Sequence, residues 1–106
     1  MRFVTAYITC KDEKEAKKIG KVLVEQRLAG CVNIIPKIRS IYRWNGKIAE
    51  SNEALLLAKA PERNKKKIAD IVKKNHSYTT PCINFLPAEI GNAEFGKWLE
   101  KETKDK

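Results

Sequence analysis

The sequence predicts an α+β fold, in which helices cover one face of a four-stranded antiparallel sheet. Three observations lead to this prediction: strand-like apolar runs alternate with lysine-rich amphipathic stretches, Asn45-Gly46 marks a tight turn, and 106 residues suffice for one domain. Apolar residues make up 42% and charged residues 33% of the chain, which is typical of folded proteins and excludes disorder. We therefore expect a single domain over residues 1–106.

The first strand and the first helix are predicted near the start of the chain. Phe3–Thr9 is rich in β-branched and aromatic residues, a pattern typical of a buried strand. Asp12 can cap the N-terminus of a helix, and Glu15, three residues later, can reach back to the N–H of the cap. Apolar residues at helical spacing then continue this helix to about Leu28.

A long β-hairpin is predicted next. Its first arm runs over Cys31–Ile35 and resumes at Ile38–Trp44, because Pro36 has no N–H for a ladder and marks an edge or a bulge. Both residues of Asn45-Gly46 tolerate positive φ, which a two-residue hairpin turn requires. The second arm returns over Lys47–Ala60.

The second half of the chain repeats the pattern of helix and strand. Pro61 can open a helix because the first helical position needs no N–H. The predicted elements are a helix from Pro61 to about Asn75-His76, a loop at 77–81, a strand at Cys82–Leu86 closed by Pro87, and a helix at Ala93–Lys101. The order β-α-β-β-α-β with a C-terminal helix is that of the ferredoxin-like fold.

The hairpin is too long for the rest of the chain to cover. An arm of 14 residues would span roughly 45 Å, against a diameter of roughly 35 Å for a compact domain of this size. The tip carries Ile41, Tyr42, Trp44 and Ile48, which are unfavourable in water. We therefore expect other subunits to cover it in a closed cyclic assembly. The alternative is a hairpin that bends back onto its own domain.

Charge and cysteine content limit the partners and the compartment. The formal net charge is +9, carried largely by lysines interleaved with acidic residues, a pattern that favours a solvated surface over a nucleic-acid site. No apolar run approaches the roughly 20 residues of a membrane span. Three cysteines without CxxC spacing indicate a reducing compartment. We therefore expect a cytoplasmic protein with neither nucleic acid nor membrane as a partner.

Three side chains are candidate metal ligands: His76, Cys82 and Cys10. One imidazole does not make a transition-metal site, but His76 could form one with either cysteine or with a carboxylate of a neighbouring subunit. Thiolate and imidazole ligands favour Cu(I) or zinc. The alternative is that His76 bonds carbonyls at the end of its helix, and that the cysteines pack as small apolar side chains.

Lys59, Tyr78 and Thr80 are candidates for a pocket at a subunit interface. Lys59 lies in an otherwise apolar strand, so its ammonium group needs a partner, and a small anion held with Tyr78 and Thr80 would supply one. A structural salt bridge is the alternative. The sequence contains no nucleophile triad, phosphate loop or HExxH motif, so we expect no enzymatic activity.

Three segments resemble the CutA family of divalent-cation tolerance proteins. They read RLAGCVNIIP at 27–36, SIYRWNGKI at 40–48 and HSYTTP at 76–81, and the resemblance continues to GKWL at 96–99. It implies a ferredoxin-like fold and a tight homotrimer in which the long hairpins pair between subunits. It also implies a link to tolerance of copper and other divalent cations, with copper bound by some members, and no established enzymatic activity.

Two functions are consistent with these observations. The first is a cytoplasmic homotrimer that binds or responds to divalent metal ions such as copper. The alternative, suggested by the similar plan of the trimeric PII signalling proteins, is a signalling or scaffold trimer. Such a trimer would bind a small molecule or a protein in the clefts between its subunits.

Overall fold

The computed structural model describes residues 2–104, and the elements within them follow the predicted order. The strands are β1 (Phe3–Cys10), β2 (Cys31–Trp44), β3 (Lys47–Pro61) and β4 (Ile83–Ala88), and the α-helices are α1 (Glu13–Glu25), α2 (Lys65–Asn75) and α3 (Ala93–Glu102). In this part of the chain the strands form one antiparallel sheet in the order β2-β3-β1-β4. The predicted ferredoxin-like α+β fold is confirmed.

The core lies between one face of the sheet and the helices α1 and α2. Alternate residues of the two central strands point into it, as the two-residue period of a strand dictates. The buried strand residues are Val4, Ala6, Ile8 and Cys10 of β1 and Ala54, Leu56, Ala58 and Ala60 of β3. The helix α1 approaches the sheet closely at Gly20, where an added Cβ would lie 3.0 Å from Val32 and 3.2 Å from Leu56.

The C-terminal helix corrects the prediction that all helices share one face. Phe3 and Lys59 alternate onto the opposite face of the sheet from the core. A Cβ added at Gly96 of α3 would lie 3.7 Å from the ring of Phe3, and the ammonium of Lys59 lies 5.8 Å from the ring centroid of Phe95. The helix α3 therefore covers one end of this second face, and the rest of that face is free of helices in the described residues.

The long hairpin has the predicted form. Asn45 and Gly46 both have positive φ, 52° and 77°, as a two-residue turn of this kind requires. The ladder slips between Ile35 and Ile38, so Pro36 lies at a bulge of an edge strand, as predicted. The described residues extend 45 Å along their longest axis.

The tip of the hairpin is apolar on both faces. Ile41 lies opposite Glu50 and Ile48 lies opposite Arg43, which places the two isoleucines on one face. Tyr42 and Trp44 alternate onto the other face. The exposed fractions are 67% for Ile41, 64% for Ile48 and 60% for Trp44. The tip therefore exposes large apolar side chains on both of its faces in the single subunit.

The first helix ends at Glu25 rather than at Leu28. Arg27 adopts a left-handed φ of 59°, which ends the helix three residues early. The N–H of Arg27 donates to Val24 and the N–H of Leu28 donates to Leu23, so the last turn is closed by its own backbone. Glycine is the usual residue at such a position, so an arginine there does not indicate the end of a helix.

Two further differences between predicted and observed boundaries lie at prolines. Pro61 is the last residue of β3, and a 3₁₀ turn at Glu62–Asn64 precedes α2, which begins at Lys65 rather than at Pro61. The fourth strand covers Ile83–Ala88 instead of Cys82–Leu86. It continues through Pro87 because β4 is an edge strand, whose outward N–H positions need no partner.

Candidate metal centre

Three segments of the chain meet beyond the C-terminal end of β1. Cys10 is the last residue of β1, Glu15 lies in the first turn of α1, and His76 follows α2 directly. One ligand atom from each of these residues lies within 4.8 Å of the others, and we call the three residues the Cys-Glu-His centre. Cys10 and the side chain of His76 are fully buried, and the side chain of Glu15 is 7% exposed.

Glu15 joins two loops through its carboxylate. Its Oε1 accepts the N–H of Lys11 at 3.0 Å, and its Oε2 accepts the N–H of Ser77 at 2.9 Å. The expected bond to the N–H of the cap residue is replaced by the bond to Lys11, while Asp12 caps the helix by accepting the N–H of Glu15. Burial raises the pKa of Glu15, but the hydrogen bonds from Lys11 and Ser77 outweigh it and lower the pKa below its usual value of 4.5.

His76 has both ring nitrogens in hydrogen bonds. Its Nε2 lies 2.8 Å from the carbonyl oxygen of Thr9, which can only accept, so Nε2 carries the proton. Its Nδ1 accepts the N–H of Tyr78 at 3.0 Å. The imidazole is therefore held as the neutral Nε2–H tautomer, with Nδ1 turned toward Glu15 at 3.8 Å from Oε1.

Cys10 lies in a field of negative charge. Burial raises the pKa of its thiol, and Glu15, Glu53 and Asp12 raise it further, to about 12. The thiol is therefore protonated at neutral pH and is a poor nucleophile. The same three carboxylates would attract a cation, and a cation bound at Cys10 would favour the thiolate.

Tyr78 connects the centre to the hairpin. Its hydroxyl donates to Oε2 of Glu53 on β3 at 2.7 Å, and its ring lies 4.7 Å from the imidazole of His76, centroid to centroid. Burial raises the pKa of Tyr78, and the hydrogen bond to Glu53 raises it further, so the hydroxyl remains a donor.

The structure brings some of the sequence candidates together and leaves others apart. Cys10 and His76 meet in the centre, whereas Cys82 precedes β4 and its sulfur accepts a bond of 3.7 Å from Asn84. Tyr78 and Thr80 line one groove of about 460 Å³ beside the hairpin. Lys59 lies elsewhere in this subunit, near Phe95 of α3.

The three side chains fit a metal ion by chemistry and nearly by distance. Sulfur, imidazole nitrogen and carboxylate oxygen are all ligands of zinc. A tetrahedral zinc with bonds of about 2.0–2.3 Å separates its ligand atoms by roughly 3.3–3.8 Å. Ligand atoms within 4.8 Å of one another therefore need to contract by about 1.5 Å at most. Metal binding would also break one hydrogen bond of His76 and remove the proton of Cys10.

Glu15 is the member of the centre that sequence reasoning did not propose as a ligand. Its position three residues after Asp12 indicated a role at the helix N-terminus, and it does lie in the first turn of α1. Its contact with Ser77 joins residues 62 positions apart in the chain. A local pattern contains no information on such a contact.

Within residues 2–104, no helix is long and apolar enough to cross a membrane.

The sequence matches the family model described as CutA1 divalent ion tolerance protein over residues 4–102. It is 47% identical over 96 residues to the divalent-cation tolerance protein CutA of Thermus thermophilus, covering 91% of this chain and 93% of the relative. It is 42% identical over 98 residues to protein CutA of Homo sapiens, covering 92% of this chain and 55% of that protein. The chain therefore spans only about half the length of the human relative.

Solved structures give the same result at the level of the fold. The periplasmic divalent cation tolerance protein CutA from Archaeoglobus fulgidus superposes with a TM-score of 0.93 at 39% identity, covering 96% of this chain and 99% of that one. CutA1 from Oryza sativa superposes with a TM-score of 0.95 at 32% identity, covering 100% and 97%. These similarities do not favour the alternative of a PII-like signalling trimer. The chain belongs to the CutA1 family of divalent ion tolerance proteins.

Proposed function

We propose that this chain acts in divalent-cation tolerance by binding a metal ion directly at the Cys-Glu-His centre. The observation that carries the proposal is the meeting of a thiol, a carboxylate and an imidazole within 4.8 Å in a buried site. Three ligands of three kinds from separate segments suit a transition metal better than magnesium or calcium, which prefer oxygen. The ion would neutralise the negative charge of the surrounding carboxylates.

The ion we expect is Cu(I) or zinc. Sulfur is the softest of the three ligands, and soft ligands select Cu(I) and zinc over harder cations. Copper is therefore a candidate cargo, as the family resemblance also implies. Cys82 enters the site only if a neighbouring subunit supplies it, since within one subunit it lies outside the cluster.

We propose a homotrimer as the working form. The hairpin tip exposes Ile41 and Ile48 on one face and Trp44 on the other, so it offers two different apolar surfaces. Two different surfaces suit a head-to-tail contact, which closes into a ring, better than a two-fold contact that buries one surface against itself. An anion pocket at Lys59, Tyr78 and Thr80 would need a neighbouring subunit, because Lys59 is apart from the other two.

The proposed function is binding without catalysis, in the cytoplasm. The reducing conditions there would keep Cys10 available as a ligand, and all three cysteines of the chain are free. The thiol pKa of about 12 argues against a role for Cys10 as a nucleophile at neutral pH.

Calorimetric titration with Zn²⁺, and anaerobically with Cu(I), tests the metal proposal. We expect saturable binding that Cys10→Ser and His76→Ala each weaken by about tenfold or more, because each removes one ligand. Cys31→Ser is the matched control, since that cysteine is also free but outside the centre, and it should bind as the wild type does. Equal affinity in all four proteins would remove the centre as the site.

A further inference from the structure

The metal centre and the loop that follows α2 share hydrogen-bonding atoms. Nδ1 is the nitrogen of His76 that faces Glu15, at 3.8 Å, whereas Nε2 points to the carbonyl of Thr9. We take Nδ1 as the ligand atom of His76, because it is the nitrogen within 4 Å of the carboxylate of Glu15. The lone pair of Nδ1 already accepts the N–H of Tyr78 at 3.0 Å. An imidazole nitrogen has one lone pair, so the ion and the N–H of Tyr78 cannot both use it.

Tyr78 is held in this position from its other end. Its hydroxyl donates to the carboxylate of Glu53 at 2.7 Å, a short bond to an acceptor with formal negative charge. We call the two bonds of Tyr78, from its N–H to His76 and from its hydroxyl to Glu53, the Tyr78 latch. The preceding N–H, of Ser77, is bonded to the carboxylate of Glu15, so a second ligand of the centre also holds the loop.

We propose that the Tyr78 latch competes with the metal ion for His76 and so sets the affinity of the centre. In the closed latch the N–H of Tyr78 occupies Nδ1. Binding of the ion displaces this N–H and opens the latch. The proposal rests on the proposed function, because it concerns the regulation of the same centre. Any contact that stabilises the closed latch then lowers the apparent metal affinity, since only the open fraction binds.

The latch also connects the centre to the hairpin. Tyr78 forms part of the wall of the 460 Å³ groove, together with Tyr42 and Trp44 of the hairpin. When the ion opens the latch, Tyr78 leaves its bond to Glu53 on β3 and the wall of the groove changes. Metal binding therefore changes the surroundings of Trp44, which lines the same groove.

The test measures zinc affinity in two latch variants by calorimetry. Tyr78→Phe removes the hydroxyl bond and Glu53→Gln replaces its charged acceptor with a neutral one, so both weaken the closed state. We expect Tyr78→Phe to bind Zn²⁺ roughly 3–10-fold more tightly than the wild type. Glu53→Gln should show a smaller gain, because it also removes one of the carboxylates that attract the cation. Tyr42→Phe is the matched control, because Tyr42 lines the same groove. It should bind Zn²⁺ as the wild type does.

If Tyr78 served only to stabilise the fold, Tyr78→Phe would leave the zinc affinity unchanged or lower it. A gain in zinc affinity therefore distinguishes regulation of the centre from a packing role. Thermal unfolding without metal shows whether each variant is folded. If Tyr78→Phe does not fold, Glu53→Gln still tests the proposal. In a Trp98→Phe background, Zn²⁺ should shift the fluorescence of Trp44, and this shift should be smaller in Tyr78→Phe. Zinc binding with no gain in either folded variant overturns the latch alone. No zinc binding by any of the proteins overturns the centre and the latch together.

Discussion

His76 and Glu15 are polar residues in a buried place, and their hydrogen bonds explain how they remain there. The carboxylate of Glu15 accepts two backbone N–H groups, and the imidazole bonds one carbonyl and one N–H. Among the described residues, no buried side-chain nitrogen or oxygen lacks a partner. The atoms that would bind a metal ion are therefore the atoms that hold two loops in place, and metal binding and loop structure must be linked.

The sequence was informative about which residues carry the chemistry and uninformative about which ones meet. His76 and Cys10 were identifiable as the only histidine and a cysteine near a strand end. Their meeting with Glu15 depends on how β1, α1 and α2 pack, and packing at this distance along the chain has no local signature. Cys82 illustrates the same limit, because it resembles Cys10 in sequence context but lies outside the cluster.

Gly30 provides a test of close packing at a single position. A Cβ at Gly30 would lie 2.5 Å from Cδ1 of Leu99, which is itself buried. Gly30→Ala must displace Leu99 and should lower the free energy of unfolding by about 1–3 kcal/mol, measured in urea. Gly91→Ala is the control, since nothing lies within 4 Å of its added Cβ, and it should change little. Equal stability of the two variants would contradict this account.

The ion pair of Arg63 with Glu100 should give the protein a specific acid sensitivity. The bond from Arg63, at 2.9 Å, lowers the pKa of Glu100 below 4.5, although burial opposes the shift. Because the pKa of the folded state is lower than that of the unfolded state, the stabilisation is present above about pH 4.5 and is lost as the pH falls through the folded-state value.

Glu100→Gln should therefore be less stable than the wild type at pH 7, by about 1 kcal/mol. Urea unfolding at pH 7 and at pH 3 measures the difference, which should shrink at the lower pH. Asp70→Asn is the control, because Asp70 pairs with Lys66 on the surface with both side chains largely exposed. A difference that stays constant with pH would show that the ion pair is not its source.

Among the elements, those with strong local signals were predicted best. The hairpin followed from alternating residues and from Asn45-Gly46, whose positive φ values few other pairs tolerate. The prediction for the end of α1 was wrong because Arg27 adopts a left-handed backbone conformation that is usual for glycine. Backbone hydrogen bonds stabilise this conformation, and the side chain of Arg27 donates a further bond to the carbonyl of Glu102. Pro61 was compatible both with the end of a strand and with the start of a helix.

The effect of a side chain at Gly46 in the hairpin turn should come from backbone conformation alone. Gly46 has a φ of 77°, and no atom lies within 4 Å of the place where a Cβ would be. Gly46→Ala should lower the stability by about 1–2 kcal/mol through left-handed strain, with no clash. Gly91→Ala, which has the same open surroundings without the positive φ, is the comparison. The midpoint of urea unfolding measures both, and an unchanged Gly46→Ala would show that the turn adapts.

For the whole molecule, the apolar tip predicts assembly. Ile41→Asp places a charge on a surface that we propose to be covered in the trimer, and it should shift the mass measured by light scattering toward that of a monomer. Val24→Asp is the control, because Val24 is also an exposed apolar side chain but lies on α1. A wild type that is a monomer at micromolar concentration would contradict the proposed assembly.

The strand order β2-β3-β1-β4 has a consequence for the time course of folding. Phe3 in β1 pairs with Pro61 on one side and with Ala88 on the other, so β1 pairs only with strands that lie far from it along the chain. The β2–β3 hairpin closes only a two-residue turn and can form early, whereas the central pairings must first close long loops. Refolding should therefore be slowed by Gly46→Ala, while Ala6→Gly in β1 should mainly speed unfolding. Stopped-flow rates of the two variants in urea would show whether this order of events holds.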